Sequence, residues 1–387
     1  MLQRVAAVRA MSWPFPSSAK SGVTAGRAAV SILGCCLNYD HSDRALSALR
    51  QQLSDPCIDW LMIVDIACRN GLTPALLLAL ERKALVNELP ADLQRYLAMI
   101  HGLNRQRNEV IREEARRAIA ALTSGGLRPV LMKGSLTLFD CKLDRGLCMM
   151  TDIDLLLSEP EMEEACSILS SMGYFLFGQK RHRDHAHAWT FHRPGSLVTI
   201  DLHRHVGPQR DILATEIARN NAVPSADDGS IWGLSPTHSA LLQVMTFAIF
   251  ERFYSLRQIP LRCLHDLALL SHRRQDEIDW SAIAHAADAH DFSPATDVLL
   301  HMARQLFTVP VPSALGRTPR AHWYLQRSLP RAPFPAAHLT VRAWNRLAWP
   351  LGRFRMHYRY GCGTRGLALH LARVHHAAAA LCRRLDW

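Results

Sequence analysis

The sequence predicts an α+β protein: a small mixed β-sheet flanked by N-terminal and C-terminal helical regions. Three observations predict it. From His41 to Ser124 apolar residues recur at helical spacing, as in Leu46, Leu49 and Leu53 and then Trp60 to Ala67. Between residues 125 and 232 the period shortens to two, with aliphatic segments around Val130, Ile153 and Ile200. Past Ser235 the helical period returns.

Taken in order, residues 1–40 carry Arg4, Arg9, Lys20 and Arg27 against the single acid Asp40, among Ser, Ala, Gly and Pro. They show no periodic apolar face, which predicts a flexible leader, with Met11 as an alternative start. Ile32-Leu-Gly-Cys35 has the look of a lipoprotein cleavage site, yet Arg27 interrupts the apolar run that a signal peptide needs. Residues 41–124 form the N-terminal helical region; its long helix over Asn108–Leu122 stops at Gly125-Gly126. Residues 125–232 hold the sheet: a strand into Met132, a strand over Thr151–Leu157, a helix over Glu161–Met172, a further strand, and one over Val198–His203. In 233–312 a helix begins at Pro236, and Leu241–Phe253 and Leu261–Ser271 are helical. The basic region 313–387 starts with a looser connection over Arg317–Pro350 and ends in an amphipathic helix, Leu367–Arg384.

Composition narrows the function classes. Hydrophobic residues are 49% and charged residues 20% of the 387, and no apolar run approaches the ~20 residues of a membrane span. The ten cysteines include no Cys-x-x-Cys pair, so neither a disulfide framework nor a zinc site is indicated and a reduced, cytoplasmic setting is expected. His182, His185, His187 and His192 lack zinc-ligand spacing and read as a segment beside the sheet. The net charge of +11 is concentrated at the end of the chain: Leu315–Trp387 holds thirteen Arg, no Lys and one acid, Asp386. Interleaved with Trp344, Trp349, Phe354, Tyr358 and Tyr360, those arginines suit a packed cap or stacking on RNA bases.

The chemistry centres on three carboxylates. In Thr151-Asp-Ile-Asp-Leu-Leu-Leu157, Asp152 and Asp154 sit two apart on a strand and therefore share a face. Neighbouring carboxylates repel unless a cation or a proton lies between them, and a hard ion such as Mg²⁺, or Mn²⁺ in its place, takes carboxylate oxygens readily. Such a pair also suits the solvent face of an edge strand; the segment Arg128-Pro-Val-Leu-Met-Lys-Gly-Ser135 argues for the metal. There a strand runs into Lys133-Gly134-Ser135, where a glycine allows close backbone approach and amides can line a phosphate. The third acid, Asp201, follows on the strand Val198-Thr-Ile-Asp-Leu-His203.

This order resembles the nucleotidyltransferase fold of DNA polymerase β and the aminoglycoside and lincosamide nucleotidyltransferases. It is closest to the bacterial uncharacterised nucleotidyltransferase family, through Met132-Lys133-Gly134, Asp152-Ile153-Asp154-Leu155-Leu156, Met172-Gly173-Tyr174 and Ile200-Asp201-Leu202-His203. Flanking matches are Ile58-Asp59-Trp60, Gly71-Leu-Thr-Pro-Ala75, Leu234-Ser-Pro236 and Asp266 followed by Ile278-Asp-Trp280, so the resemblance runs from about Asp59 to about Pro312. It implies transfer of an NMP from ATP or another NTP to an acceptor hydroxyl, with Asp152, Asp154 and Asp201 as metal ligands. Asp201 would also help deprotonate the acceptor, while Lys133, Gly134 and Ser135 would hold phosphates. His203 and Asp266 would lie on the acceptor side.

Two departures stand out. Sixteen residues separate Ser135 from Asp152, and Cys148 occupies the position, four before the first Asp, where this family has Arg. Arg145 substitutes for it only if the loop turns back. Two alternatives follow: a decayed nucleotidyltransferase that binds nucleotide or a partner without turnover, and an RNA-associated protein working through its basic C-terminus.

Overall fold

The computed structural model describes residues 19–177, 188–207, 211–225 and 229–332. At its centre is one mixed seven-stranded sheet, ordered β3-β4-β5-β2-β1-β7-β6. The strands are β1 (Val130–Leu131), β2 (Asp152–Leu156), β3 (Phe175–Leu176), β4 (Ala188–His192), β5 (Thr199–His203), β6 (Val223–Pro224) and β7 (Trp232–Gly233). β2 and β5 run parallel, with β1 antiparallel on one side of them and β4 antiparallel on the other. In β2 the acids alternate with Ile153 and Leu155, both fully buried, so the aliphatic side chains serve the core and leave one face to the carboxylates. The fold class is the α+β arrangement expected, with helices flanking the sheet.

On the N-terminal side lie α1 (Ala19–Leu37), α2 (Asp43–Leu53), α3 (Trp60–Arg69), α4 (Thr73–Arg82) and α5 (Ala91–Ser124). Helix α1 corrects the expectation that residues 1–40 form a flexible leader. Ala29, Val30, Leu33, Cys36 and Leu37 are buried at helical spacing. The face runs through Val30, Leu33 and Leu37, set among small residues whose value is close approach rather than bulk. A Cβ on Gly34 would stand 3.0 Å from the Leu306 carbonyl oxygen. The C-terminal end of α1 is sealed by Lys83, whose buried ammonium donates to the carbonyls of Cys36 and Asn38. Residues 1–18, including Met11, lie outside the described residues.

Helix α5 is longer than expected, at 34 residues, and ends where predicted, with Gly126 at φ +81°. Its inner face packs on α4 and on the turn that follows β1, while Met99, Leu103 and Val110 remain exposed. After β2, Ser158 and Glu161 form a capping box ahead of α6 (Met162–Ser171). Gly173, at φ +83°, ends that turn, and the buried Tyr174 hydroxyl donates to the Glu114 carboxylate of α5 at 2.6 Å.

The C-terminal side comprises α7 (Thr215–Asn220), α8 (Pro236–Met245), α9 (Phe253–Leu256), α10 (Leu261–Arg273), α11 (Trp280–Ala289), α12 (Ser293–Phe307) and α13 (Pro319–Ser328). The two Ile-Asp-Trp motifs are helix starts: Asp59 accepts the Met62 amide of α3, and Asp279 accepts those of Ser281 and Ala282 in α11. Ser235 does the same for α8 ahead of Pro236. Part of the expected loose connection over 317–350 is instead helix α13, capped by Thr318. Its prolines misled because Pro319 sits in the first helical turn, where proline is accommodated. The remaining stretch 333–387, with the basic tail and the expected final helix, lies outside the described residues, as do His182, His185 and His187. Among the described residues no single helix is long and apolar enough to cross a membrane.

Candidate active site

Strand register brings the acids together. Asp154 of β2 pairs directly with Asp201 of β5, and His203 lies two residues further along the same face. Ligand atoms of Asp154, Asp201 and His203 all fall within 4.8 Å of one another. Asp152 pairs with Thr199 at the start of β2 and stands outside this compact group. The grouping therefore differs from the three-aspartate set expected, because parallel pairing offsets Asp152 by one repeat from Asp201. His205, past the end of β5, turns to Thr215 instead, with Nδ1 3.4 Å from its Oγ1.

Asp154 is the hub. It is 2% exposed, and its Oδ1 lies 2.7 Å from His203 Nε2 and 2.5 Å from Lys133 Nζ. An ionised carboxylate only accepts, so His203 presents a protonated Nε2 to it. Burial pushes the Asp154 carboxyl up, but the His203 hydrogen bond and the Lys133 charge outweigh it and hold the group below the usual range. Its contribution to stability is therefore present above the ordinary aspartate range and is lost as pH falls through the lowered value. Asp201 differs: its Oδ1 is buried without a hydrogen-bond partner. A buried carboxylate oxygen so placed, with a second carboxylate and an imidazole in reach, is a donor set that fits a hard divalent cation.

Asp152 is shifted the other way. Burial first, and then the Asp154 charge, raise its carboxyl above the usual range, although Thr151 donates to it at 3.0 Å. Because the folded value exceeds the unfolded one, ionisation of Asp152 opposes folding at neutral pH, and the penalty disappears in acid. Asp152→Asn should accordingly raise the metal-free thermal midpoint at pH 7 by about 2 °C, with the gap closing near pH 4. Thermal denaturation in EDTA at both pH values checks this; a lower midpoint at pH 7 would contradict it.

The segment after β1 is a 3₁₀ turn, Lys133–Phe139. Lys133 adopts φ +52°, and Gly134 packs so closely that a Cβ there would meet Met150 Sδ at 3.3 Å. Ser135 is fully buried, and its Oγ accepts the Asp154 amide at 2.9 Å, so the hydroxyl braces β2 where a phosphate contact was expected of it. Thr137 closes the turn by donating to the Gly134 carbonyl.

The long loop does turn back. Arg145 donates to the carbonyls of Leu138 and Asp140, at 2.7 and 3.3 Å. From α5, Asn104 donates to the carbonyls of Gly146 and Cys148, and Asn108 to those of Arg145 and Cys148. Cys148 itself is buried. Its neighbour is Arg262 of α10, which donates through Nε to both Asp266 oxygens at 2.9 Å and through Nη1 to the Gly71 carbonyl. Its Nη2 approaches Gly134, lying 3.9 Å from where a Cβ would sit. Asp266 is thus held by Arg262, which lowers its carboxyl against the opposing effect of burial. Arg262 was missed in the sequence; the signal available was its four-residue spacing from Asp266, an ion pair on one helix face.

Two cavities meet at Lys133. The larger, about 620 Å³, reaches from Lys133 and His203 to Arg262 and Asp266, with Phe250 and Gln258 on its wall. One side of it is the π-helical turn Thr246–Phe250, and π turns frequently mark functional sites. The smaller, about 150 Å³, lies behind Gly134 and is bounded by Asp140, Asp266 and Arg273.

No curated protein and no solved structure matches the chain. The model of the family described as uncharacterised nucleotidyltransferase matches residues 56–308, a span that takes in the 3₁₀ turn, both Asp strands, the cavity helices and the two Ile-Asp-Trp caps. With its acids paired across β2 and β5 and well over half of its length matched, the chain belongs to the uncharacterised nucleotidyltransferase family.

Proposed function

We propose that the protein is a Mg²⁺-dependent nucleotidyltransferase, with Mn²⁺ as a substitute, that moves an NMP from an NTP to an acceptor hydroxyl and releases pyrophosphate. The observation that carries this reading is the partnerless, buried Asp201 Oδ1 beside Asp154 and His203. Bound Mg²⁺ would supply positive charge to the phosphate oxygens and acidify the attacking hydroxyl.

The chain's own residues divide the rest of the work. Asp154 and Asp201 seat the cation with His203 beside them, and Asp152 adds negative charge at the edge of the site. His203 orients Asp154 through their hydrogen bond, and Asp201 accepts the proton leaving the acceptor hydroxyl. Lys133 and the amides of Gly134 and Ser135 receive the triphosphate, with Ser135 Oγ keeping the turn in register with β2. The larger cavity, walled by α8, α10 and the π-helical turn, takes the acceptor, with Asp266 set on its far side by Arg262. The bracing of the long loop by Arg145 supports an active enzyme over a decayed one.

Titration of the protein with each of the four NTPs, with and without Mg²⁺, tests the reading. Binding of at least one NTP that requires the metal and is lost in Asp201→Asn is the expected result. Metal-independent binding, or none, would overturn it.

A further inference from the structure

Lys133 is unusual in two independent ways. Its backbone lies in the left-handed region at φ +52°, although the adjacent Gly134 could have absorbed that geometry and does not. Strain at a residue with a Cβ persists where surrounding structure enforces it, and it clusters at functional positions. Its side chain is 41% exposed, yet the ammonium ends on the nearly inaccessible Asp154, 2.5 Å from Oδ1. That carboxylate belongs to the group within 4.8 Å that includes Asp201 and His203. Lys133 also lines both cavities, so its head can leave Asp154 and still lie within the site.

An ammonium and a divalent cation on one carboxylate repel strongly in a site this buried. The lysine head is a compact charge on a flexible stem, able to move by rotamer change alone. We propose that Lys133 and the divalent cation exchange on Asp154: the ammonium holds the carboxylate in the nucleotide-free protein, yields it to the metal, and moves to the phosphate chain. This rests on the proposed function. It makes metal and nucleotide binding mutually reinforcing, because the metal's arrival releases the cation that the triphosphate requires. Lys133 thereby weakens the binding of metal that arrives without nucleotide.

The test is calorimetric and needs no turnover. Mn²⁺ alone is titrated into nucleotide-free wild type, Lys133→Met, Lys133→Asn and Asp154→Asn; inorganic triphosphate is then titrated into wild type and each lysine variant at saturating Mn²⁺. Lys133→Asn removes the charge while keeping a residue that tolerates the left-handed backbone, in case the methionine variant misfolds. The lysine variants should bind Mn²⁺ alone about tenfold more tightly than wild type and triphosphate about tenfold more weakly. Unchanged or weaker Mn²⁺ affinity in folded lysine variants, with binding lost in Asp154→Asn, overturns the exchange and leaves the metal site standing. Undiminished Mn²⁺ binding in Asp154→Asn overturns the metal site itself and the exchange with it.

Discussion

Asp154→Asn is expected to lower the rate of pyrophosphate release by about 10³-fold or more, equivalent to about 4 kcal/mol of transition-state stabilisation. The size of the effect follows from how many roles meet at this side chain. It faces Asp201 across the strand pair, accepts from His203, and anchors Lys133. Asparagine keeps the shape and one acceptor oxygen but removes the charge that seats a divalent cation. It also leaves Lys133 and His203 facing a neutral group, so raising the Mg²⁺ concentration should not restore the rate. The measurement is pyrophosphate release at several Mg²⁺ concentrations with the NTP identified by titration. A loss below tenfold, or full rescue by metal, would show that Asp154 is peripheral.

The second large effect is on stability and lies where α5 meets the chain between α6 and β3. Glu114→Ala should destabilise the fold by about 3 kcal/mol, while Glu114→Gln should cost less than half as much. Glu114 and Tyr174 are 3% and 1% exposed, and the carboxylate is the partner of the Tyr174 hydroxyl at 2.6 Å. Arg193 of the segment after β4 stands 3.4 Å from the same oxygen and stacks over the Tyr174 ring. Alanine strands a buried hydroxyl and opens a void; glutamine still offers an acceptor. The urea midpoints of the two variants separate these costs, and equal midpoints would mean that packing alone holds Tyr174.

The contrast between Glu114 and Asp201 explains what was legible in the sequence. Strand period and acid spacing exposed Asp152, Asp154 and Asp201, because a carboxylate amid aliphatic residues on a short strand has few purely structural uses. The register across β2 and β5 was not legible: nothing in either segment says that Asp154, rather than Asp152, faces Asp201, and this pairing places His203 in the candidate metal group. Arg262 was hidden for another reason. It reaches Cys148 and Gly134 from more than a hundred residues away in sequence, and helical periodicity reports a face, not its neighbour. The face of helix α1 is carried by Val30, Leu33 and Leu37, whose period is diluted by the small residues among them, Gly34 included, that allow backbones to approach closely. The family motifs flanking the sheet were recognisable but mute, since Asp59, Ser235 and Asp279 serve as helix caps and carry no chemistry.

The loop between the turn and β2 is stitched to α5 and to itself largely through carbonyl oxygens, those of Leu138, Asp140, Arg145, Gly146 and Cys148, while His101 of α5 and Arg273 of α10 hold the Asp144 and Asp140 carboxylates. Every residue type offers a carbonyl oxygen, so those bonds are indifferent to the letters that carry them, whereas Asp140, Asp144 and Gly146, where a Cβ would stand 2.5 Å from His101 Nε2, are not interchangeable. Asn104, Asn108 and Arg145 act as a fixed frame, and the exposed Lys142 joins it through its backbone, its amide donating to the Asp140 carboxylate and its carbonyl accepting from Arg273. For protein engineering, this marks Lys142 as the place to vary sequence beside the candidate site while the loop keeps its alignment.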